Sequence, residues 1–254
     1  MSPTHNGDGA SQPRRVRPTA LITGASRGLG REVARLLARR GTGLVLTARG
    51  EAALRDAADE LAGLTEVVAL PGDVAEAAHA ERLVDLGLRR FGRIDVLLNN
   101  ASTIGPSPMP TLEAYPLDAL AEVFRVNVLA PLHLTQLVLP GMRARGEGVI
   151  VNVTSDAAVQ GYPSWGGYGA SKAALEGLSR VLAAELEGSG VRVYVVDPGD
   201  MNTELHRLAE PGVDLSHLPG PELPAPAIAR LIESEGAAFG RFEAQKLVAV
   251  GGGG

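Results

Sequence analysis

The residues Ala20-Leu21-Ile22-Thr23-Gly24-Ala25-Ser26-Arg27-Gly28-Leu29-Gly30 read as a short apolar strand that runs into a glycine-rich turn. Val33, Leu36 and Leu37 follow at helical spacing and share one face until Gly41. A glycine turn between a strand and a helix N-terminus lets a phosphate approach the backbone, where unpaired amides and the helix dipole favour an anion. The spacing over Gly24, Gly28 and Gly30 is Gly-x3-Gly-x-Gly, not the Gly-x-Gly-x2-Gly of the commoner dinucleotide fingerprint. In a chain with 32 glycines the pattern says little alone, and its place after a first strand gives it weight.

Outward from this turn, strands and helices alternate. Leu44 to Leu46 reads as a second strand, Glu51 to Leu61 as an Ala-rich helix, and Val67 to Leu70 as a third strand closed by Pro71-Gly72. Leu83, Leu86 and Leu88 mark a helix, and Ile94 to Leu98 a fourth strand. A long helix is predicted over Leu117 to Met142, bent at Pro131, which removes a backbone donor. Val149 to Val151, Tyr168 to Glu187 and Val191 to Val196 give a strand, a helix and a strand. Apolar runs rich in branched residues and separated by helices indicate a parallel sheet buried on both faces. With no repeat and no linker, the expectation is one α/β domain over residues 18–250, a doubly wound Rossmann fold on a mostly parallel six- to seven-stranded sheet.

Composition narrows the function. The 254 residues suit one such domain, and 45% hydrophobic residues suffice for a core. The absence of cysteine excludes disulfides, thiolate metal sites and Cys nucleophiles. A net charge of −5 argues against nucleic-acid binding. The five histidines show no metal-ligand spacing, so no metal is assigned. Residues 1–17 lack periodicity and are expected to be a disordered tail. Their Arg14, Arg15 and Arg17 are not followed by the apolar segment that an export signal needs. Residues 251–254 read as a flexible glycine end, no apolar run reaches membrane-span length, and a cytoplasmic location is expected.

The second strand ends Thr47-Ala48-Arg49, where an NAD-specific protein places the acid that binds the ribose 2′-hydroxyl. Arg49, together with Arg27 in the turn, is suited to a 2′-phosphate instead, which points to NADP(H). Tyr168 and Lys172 stand at i and i+4, on one helix face. Ser155 precedes them just beyond the fifth strand, and strand C-termini of a parallel sheet are where ligands bind. Reduction of a ketone needs a hydride donor and an acid for the developing alkoxide. A phenol has a pKa of about 10, and a nearby ammonium lowers it. A serine hydroxyl can donate to the same oxygen. Of the 24 basic residues, 22 are Arg and only Lys172 and Lys246 are Lys. Arg cannot readily replace an ammonium that tunes a phenol and moves a proton, so a coding bias toward Arg would leave Lys172 in place. Lys246 has no such account.

These residues together resemble the short-chain dehydrogenase/reductase family over about residues 18 to 203. Thr23 to Gly30 is similar to its Thr-Gly-x3-Gly-x-Gly turn, and Asp73-Val74 to its adenine-contacting pair. Asn99-Asn100-Ala101 resembles its Asn-Asn-Ala-Gly element with Ser102 in place of Gly. Asn127, Ser155, Tyr168 and Lys172 match its catalytic tetrad, and Pro198-Gly199 with Thr203 the segment that positions the nicotinamide. The resemblance implies Tyr168 as general acid/base and Lys172 as ribose binder and tuner of Tyr168. It implies Ser155 as carbonyl-orienting group and Asn127 as the link from Lys172 to solvent. The implied cofactor contacts are Gly24, Ser26, Arg27, Gly28, Leu29, Gly30, Arg49, Asp73, Val74, Asn100, Ala101, Tyr168, Lys172, Pro198, Gly199 and Thr203.

Ser155, Tyr162, Trp165 and Tyr168 are the candidate substrate contacts, although Tyr162 and Trp165 serve equally as packing aromatics. Asp156 follows Ser155 and is a further candidate substrate contact, although a solvated or capping role is the simpler reading. The absence of Lys and Arg from 103–116 and 156–167 disfavours a strongly anionic substrate. Residues 200–224 resemble a substrate lid, with a static loop as the alternative. Lys246 to Val250 reads as a seventh strand. The small residues Gly169, Ala170, Ala173, Ala174 and Gly177 allow close helix approach in a homodimer or homotetramer, or packing within one chain. The expected function is hydride transfer between NADP(H) and a small carbonyl or secondary alcohol substrate. The alternative is a non-enzymatic dinucleotide sensor or scaffold, which would not need the tetrad.

Overall fold

The structure is a computed structural model that describes residues 17–251, with side chains to residue 247. The tail expected over 1–17, apart from Arg17, and the glycine end expected over 251–254, apart from Gly251, lie outside the described residues. The strands are β1 (Thr19–Thr23), β2 (Gly43–Thr47), β3 (Val67–Ala69), β4 (Val96–Asn99), β5 (Gly148–Val153), β6 (Val191–Asp197) and β7 (Phe239–Glu243). They form one sheet in the order β3-β2-β1-β4-β5-β6-β7, and every neighbouring pair is parallel. The strand order reverses between β1 and β4, which opens a crevice above their C-terminal ends.

Helices α1 (Gly28–Arg39), α2 (Glu51–Ala62), α3 (Ala77–Phe91), α4 (Leu117–Phe124), α5 (Ala130–Arg145) and α6 (Gly166–Glu185) connect the strands in turn. α7 (Glu204–Ala209) and α8 (Ala225–Glu233) follow β6, and α9 (Ala244–Gly251) follows β7. The period-two alternation of the strands divides the core. Ile22, Leu46, Leu98 and Val151 pack on one face with Val33 and Leu37 of α1 and Ile228 of α8. Leu21, Val45, Leu97 and Ile150 pack on the other with Leu83 of α3 and Leu134 and Val138 of α5. Both faces of the central strands are covered, so β1, β2, β4 and β5 are buried along their length, whereas the edge strands β3 and β7 are only partly buried.

The helix marked by Leu83, Leu86 and Leu88 is α3, whose buried face is His79, Ala80, Leu83, Val84 and Gly87. Two sequence expectations need correction. The long helix is not simply bent at Pro131. It contains a π-helical turn, Arg125–Leu129, between α4 and α5. Pro131 has no amide to offer the Asn127 carbonyl, and the chain widens so that the Ala130 amide bonds the Arg125 carbonyl. The whole segment Leu117–Arg145 is long and apolar enough to cross a bilayer, but half of its apolar window is buried and it is a core helix. The seventh strand is Phe239–Glu243, not Lys246 to Val250, which falls in α9. Phe242 stacks edge-on against Tyr194 of β6 at 5.4 Å, and the following run buries Ala244 with helical spacing to Leu247.

Candidate active site

A cavity of about 1000 Å³ opens above the C-terminal ends of the central strands. Every sequence-predicted cofactor residue except Gly30 lines it, as do Ser155, Tyr162 and Trp165. Asn127 stands behind the wall, 1% exposed.

The glycine turn is shaped by its own close contacts. Gly24 has φ +65°, and a Cβ there would come within 2.7 Å of Asn100 Nδ2. A Cβ on Gly30 would come within 2.5 Å of the Gly24 carbonyl. Asn100 holds this turn by donating to the carbonyls of Thr23 at 2.9 Å and Gly24 at 3.2 Å. Thr23 Oγ1 accepts from the amides of Asn100 and Ala101 at 3.0 and 2.9 Å. Two loops that are remote in sequence are thereby pinned together. The start of α1 has no side-chain cap, so its first amides remain available to an anion. Arg49 is exposed at the end of β2. Arg27 is exposed too, and its guanidinium is ion-paired with Glu204 at the start of α7.

Helix α6 is stitched to β5 by three polar contacts. Asn152 Nδ2 donates to Ser179 Oγ at 2.9 Å, Lys172 Nζ to the Val153 carbonyl at 2.8 Å, and Thr154 Oγ1 to Glu176 at 2.8 Å. Tyr168, Lys172 and Glu176 thus form a buried stripe at i, i+4 and i+8. Burial pushes the Lys172 ammonium down to about 8. Burial, reinforced by Asp197 and Asp156, pushes the Tyr168 phenol well above its usual range, while the hydroxyls of Ser155 and Ser102 pull it down. From the sequence, the Lys172 ammonium is expected to lower the phenol. In the protein alone, desolvation of the phenolate outweighs the ammonium, which sits 5.4 Å from the ring centroid and is itself weakened by burial. The phenol is held as an acid.

Asn127 uses its full amide. It donates to the Thr103 carbonyl at 2.8 Å and Ser171 Oγ at 2.9 Å, and accepts from Ser102 Oγ at 3.1 Å and the Thr103 amide at 2.9 Å. Among the described residues, none of its hydrogen bonds reaches Lys172 directly. The π turn presents this side chain, and it braces both the 102–103 loop and the helix of Tyr168.

Asp197 and Arg241 escape sequence reasoning, and Asp156 and Trp165 take more definite places than the sequence gives them. Asp156 is not merely solvated: it is half-buried, and its carboxylate accepts from Ser155 Oγ at 3.0 Å and from the Tyr162 phenol at 2.6 Å. Asp197, at the end of β6, is buried and lines the cavity. Arg241 of β7 reaches Glu176 at 3.1 Å, Asp197 at 3.6 Å and the Ser155 carbonyl at 3.4 Å, so one guanidinium joins the ends of three strands and α6. Trp165 lies edge-on to Tyr162, Tyr168 and His206 at 6.2, 5.8 and 6.4 Å. Within 200–224, the Asn202 amide bonds the Pro219 carbonyl at 2.8 Å, and the Leu208 carbonyl accepts from Ser107 Oγ at 2.7 Å. Gly169 packs inside the chain, because a Cβ would meet the Ala157 carbonyl at 2.5 Å.

The sequence profile of short chain dehydrogenases matches residues 18–213. The chain belongs to the short-chain dehydrogenase family. It is 38% identical over 182 residues to the ketoacyl reductase HetN of Nostoc sp., covering 71% of this chain and 62% of that protein. It thus spans about three fifths of that relative's length. It is 35% identical over 193 residues to a rhamnolipids biosynthesis 3-oxoacyl-[acyl-carrier-protein] reductase of Pseudomonas aeruginosa, covering 74% of each. Among solved structures, an alcohol dehydrogenase from Thermococcus sibiricus complexed with 5-hydroxy-NADP superposes with a TM-score of 0.79 at 30% identity, covering 89% of this chain and 95% of that one. Short-chain dehydrogenases are oxidoreductases that use nicotinamide cofactors, and the seven-stranded parallel sheet is their fold.

Proposed function

We propose that this protein reduces a small ketone, or oxidises the matching secondary alcohol, with NADP(H), with Tyr168 as the acid/base. The observation that carries this reading is the convergence of Tyr168, Lys172 and Ser155 on one cavity with the glycine turn. The cavity fits a dinucleotide: the uncapped start of α1 suits the pyrophosphate, and Asp73 and Val74 stand on the wall proposed for adenine. Arg49 at the end of β2 supports NADP(H) over NAD(H), with Arg27 as a second cation once Glu204 releases it. The similar alcohol dehydrogenase with a bound NADP derivative agrees with this choice.

The cofactor, when bound, supplies the hydride and its two electrons. The remaining work falls to the chain. Ser155 Oγ donates to the substrate oxygen, and Tyr168 Oη transfers its proton to that oxygen as the carbonyl carbon gains hydrogen. The C=O π bond is replaced by one C–H and one O–H bond. The phenolate left behind recovers a proton from solvent, and Lys172 holds the ribose and steadies that phenolate. Residues 200–224 act as the lid, and residues 18–250 as one domain. The enzyme works in the cytoplasm as a homodimer or homotetramer, and the outward side of α6, with Ala170, Ala173, Ala174 and Gly177 beside exposed Val181, supports that assembly.

The test is NADPH binding followed by turnover on a panel of ketones. kcat/KM with NADPH exceeds that with NADH, and Tyr168→Phe lowers kcat by at least about a hundredfold while NADPH still binds. Equal use of NADH refutes the cofactor assignment, and near-normal turnover by Tyr168→Phe refutes the acid/base assignment.

A further inference from the structure

The Ser155 hydroxyl, which stands beside the Tyr168 phenol, has a second acceptor on the protein. Its Oγ accepts from the Ala157 amide at 3.2 Å and donates to Asp156 Oδ1 at 3.0 Å. The other carboxylate oxygen accepts the Tyr162 phenol at 2.6 Å. Among the described residues no ion pair includes Asp156. Asp156, Ser155 and Tyr162 line the same cavity as Tyr168.

A hydroxyl has one proton. Under the reductase reading, on which this inference rests, that proton turns to the substrate oxygen. Asp156 Oδ1 then loses its donor while still half-buried, and an ionised acceptor left without a donor is costly. The loss is cancelled when the substrate brings a donor of its own to Oδ1. Geometry limits where that donor stands. The substrate oxygen lies one hydrogen-bond length, about 2.8 Å, from Ser155 Oγ, and Oδ1 lies about as far from the same Oγ. A hydroxyl on the carbon next to the reacting one stands about 2.8 Å from the reacting oxygen when the two are gauche or cis, and it can reach Oδ1 at the same length. Substrate oxygen, Ser155 Oγ, Asp156 Oδ1 and the neighbouring hydroxyl then close a ring of four nearly equal edges. A ketone without that hydroxyl leaves the ring open, and one with a carboxylate there meets a like charge.

We propose that the substrate is a vicinal hydroxy ketone, or a vicinal diol in the reverse direction, and that Asp156 determines this specificity by accepting its neighbouring hydroxyl. Tyr162 fixes the orientation of the Asp156 carboxylate from the far side.

The test compares three ketones with NADPH: 2-hydroxycyclohexanone, 2-methoxycyclohexanone and cyclohexanone. The methoxy compound keeps the electron-withdrawing oxygen and removes the donor while adding one methyl group, and cyclohexanone removes the donor without added bulk. The wild-type enzyme prefers the hydroxy ketone over both others by about tenfold or more in kcat/KM, the scale of one hydrogen bond to a charged group. In Asp156→Ala that ratio falls to within about twofold, and Asp156→Asn, whose amide oxygen still accepts, retains part of it. A merely structural role for Asp156 lowers all three substrates alike and leaves the ratio unchanged. NADPH affinity and thermal melting confirm that both variants fold. Turnover of all three ketones at similar kcat/KM by the wild type, or a ratio preserved in Asp156→Ala, overturns the inference and leaves the reductase reading standing. Failure to turn over any ketone despite NADPH binding overturns both.

Discussion

Lys172 is the residue whose burial sets function against stability, and its replacement by methionine is the sharpest test of the site's electrostatics. The ammonium is 2% exposed, and burial lowers its pKa from 10.5 to about 8. Below pH 8 the folded protein must hold a charge that the unfolded chain carries at no cost. The difference of 2.5 units corresponds to about 3 kcal/mol of lost stability. The sign follows from linkage. The folded pKa is depressed, so the penalty is complete below about pH 8, shrinks as pH rises, and is gone above about 10.5. Methionine has similar reach and no charge, but it forfeits the hydrogen bond to the Val153 carbonyl, worth about 1 kcal/mol for a neutral donor. Lys172→Met therefore stabilises the cofactor-free protein by about 2 kcal/mol at pH 7, a rise of roughly 4–8 °C in Tm for a chain of this size. The gain vanishes and reverses to about −1 kcal/mol above pH 10.5, while activity is lost throughout. Thermal melts of both proteins from pH 6.5 to 10.5 read the difference directly, and effects common to both, such as titration of Tyr168, largely cancel. A variant less stable than wild type at pH 7, or a difference that does not change with pH, refutes the argument.

Three further outcomes are expected. Arg241→Met removes the cation shared by Glu176 and Asp197 and lowers stability by about 2–3 kcal/mol, less than a fully buried pair because the guanidinium is partly exposed. Adding Glu176→Gln costs less than the sum of the two single changes, and additive melts would contradict the shared network. Glu204→Gln frees Arg27 and tightens NADPH binding by up to about fivefold in a fluorescence titration, the ceiling for an exposed ion pair; unchanged or weaker binding counts against Arg27 as a phosphate ligand. Lys172→Arg loses most of its activity, because a guanidinium neither titrates near neutral pH nor fits the ammonium's place; full activity would break the argument from lysine scarcity.

Much of the site was legible because its chemistry is written at short range. Tyr168 and Lys172 share a helix face by spacing alone, and Gly24 to Gly30 announce a turn wherever they fall after a strand. The misread elements are those where neighbours in space, not in sequence, decide. Lys246 to Val250 is as apolar as a strand, yet Phe239 to Glu243 takes the edge of β6, where Phe242 finds Tyr194. The sequence leaves Asp156 between a solvated or capping role and a substrate contact, because nothing in it shows that Ser155 and Tyr162 both turn their hydroxyls to this carboxylate.

The sequence by itself determined the order of strands and helices, the glycine-rich turn at the start of α1 and the shared helix face of Tyr168 and Lys172, since periodicity and local spacing are properties of the chain. Only the tertiary structure decided how those groups are charged. It buried Lys172 and Tyr168, brought Asp197 close enough to raise the Tyr168 phenol, and set Arg241 across strands β5 to β7 to balance the carboxylates. Desolvation and Coulomb interaction depend on what surrounds a group in space, and that surrounding exists only once the sheet has closed.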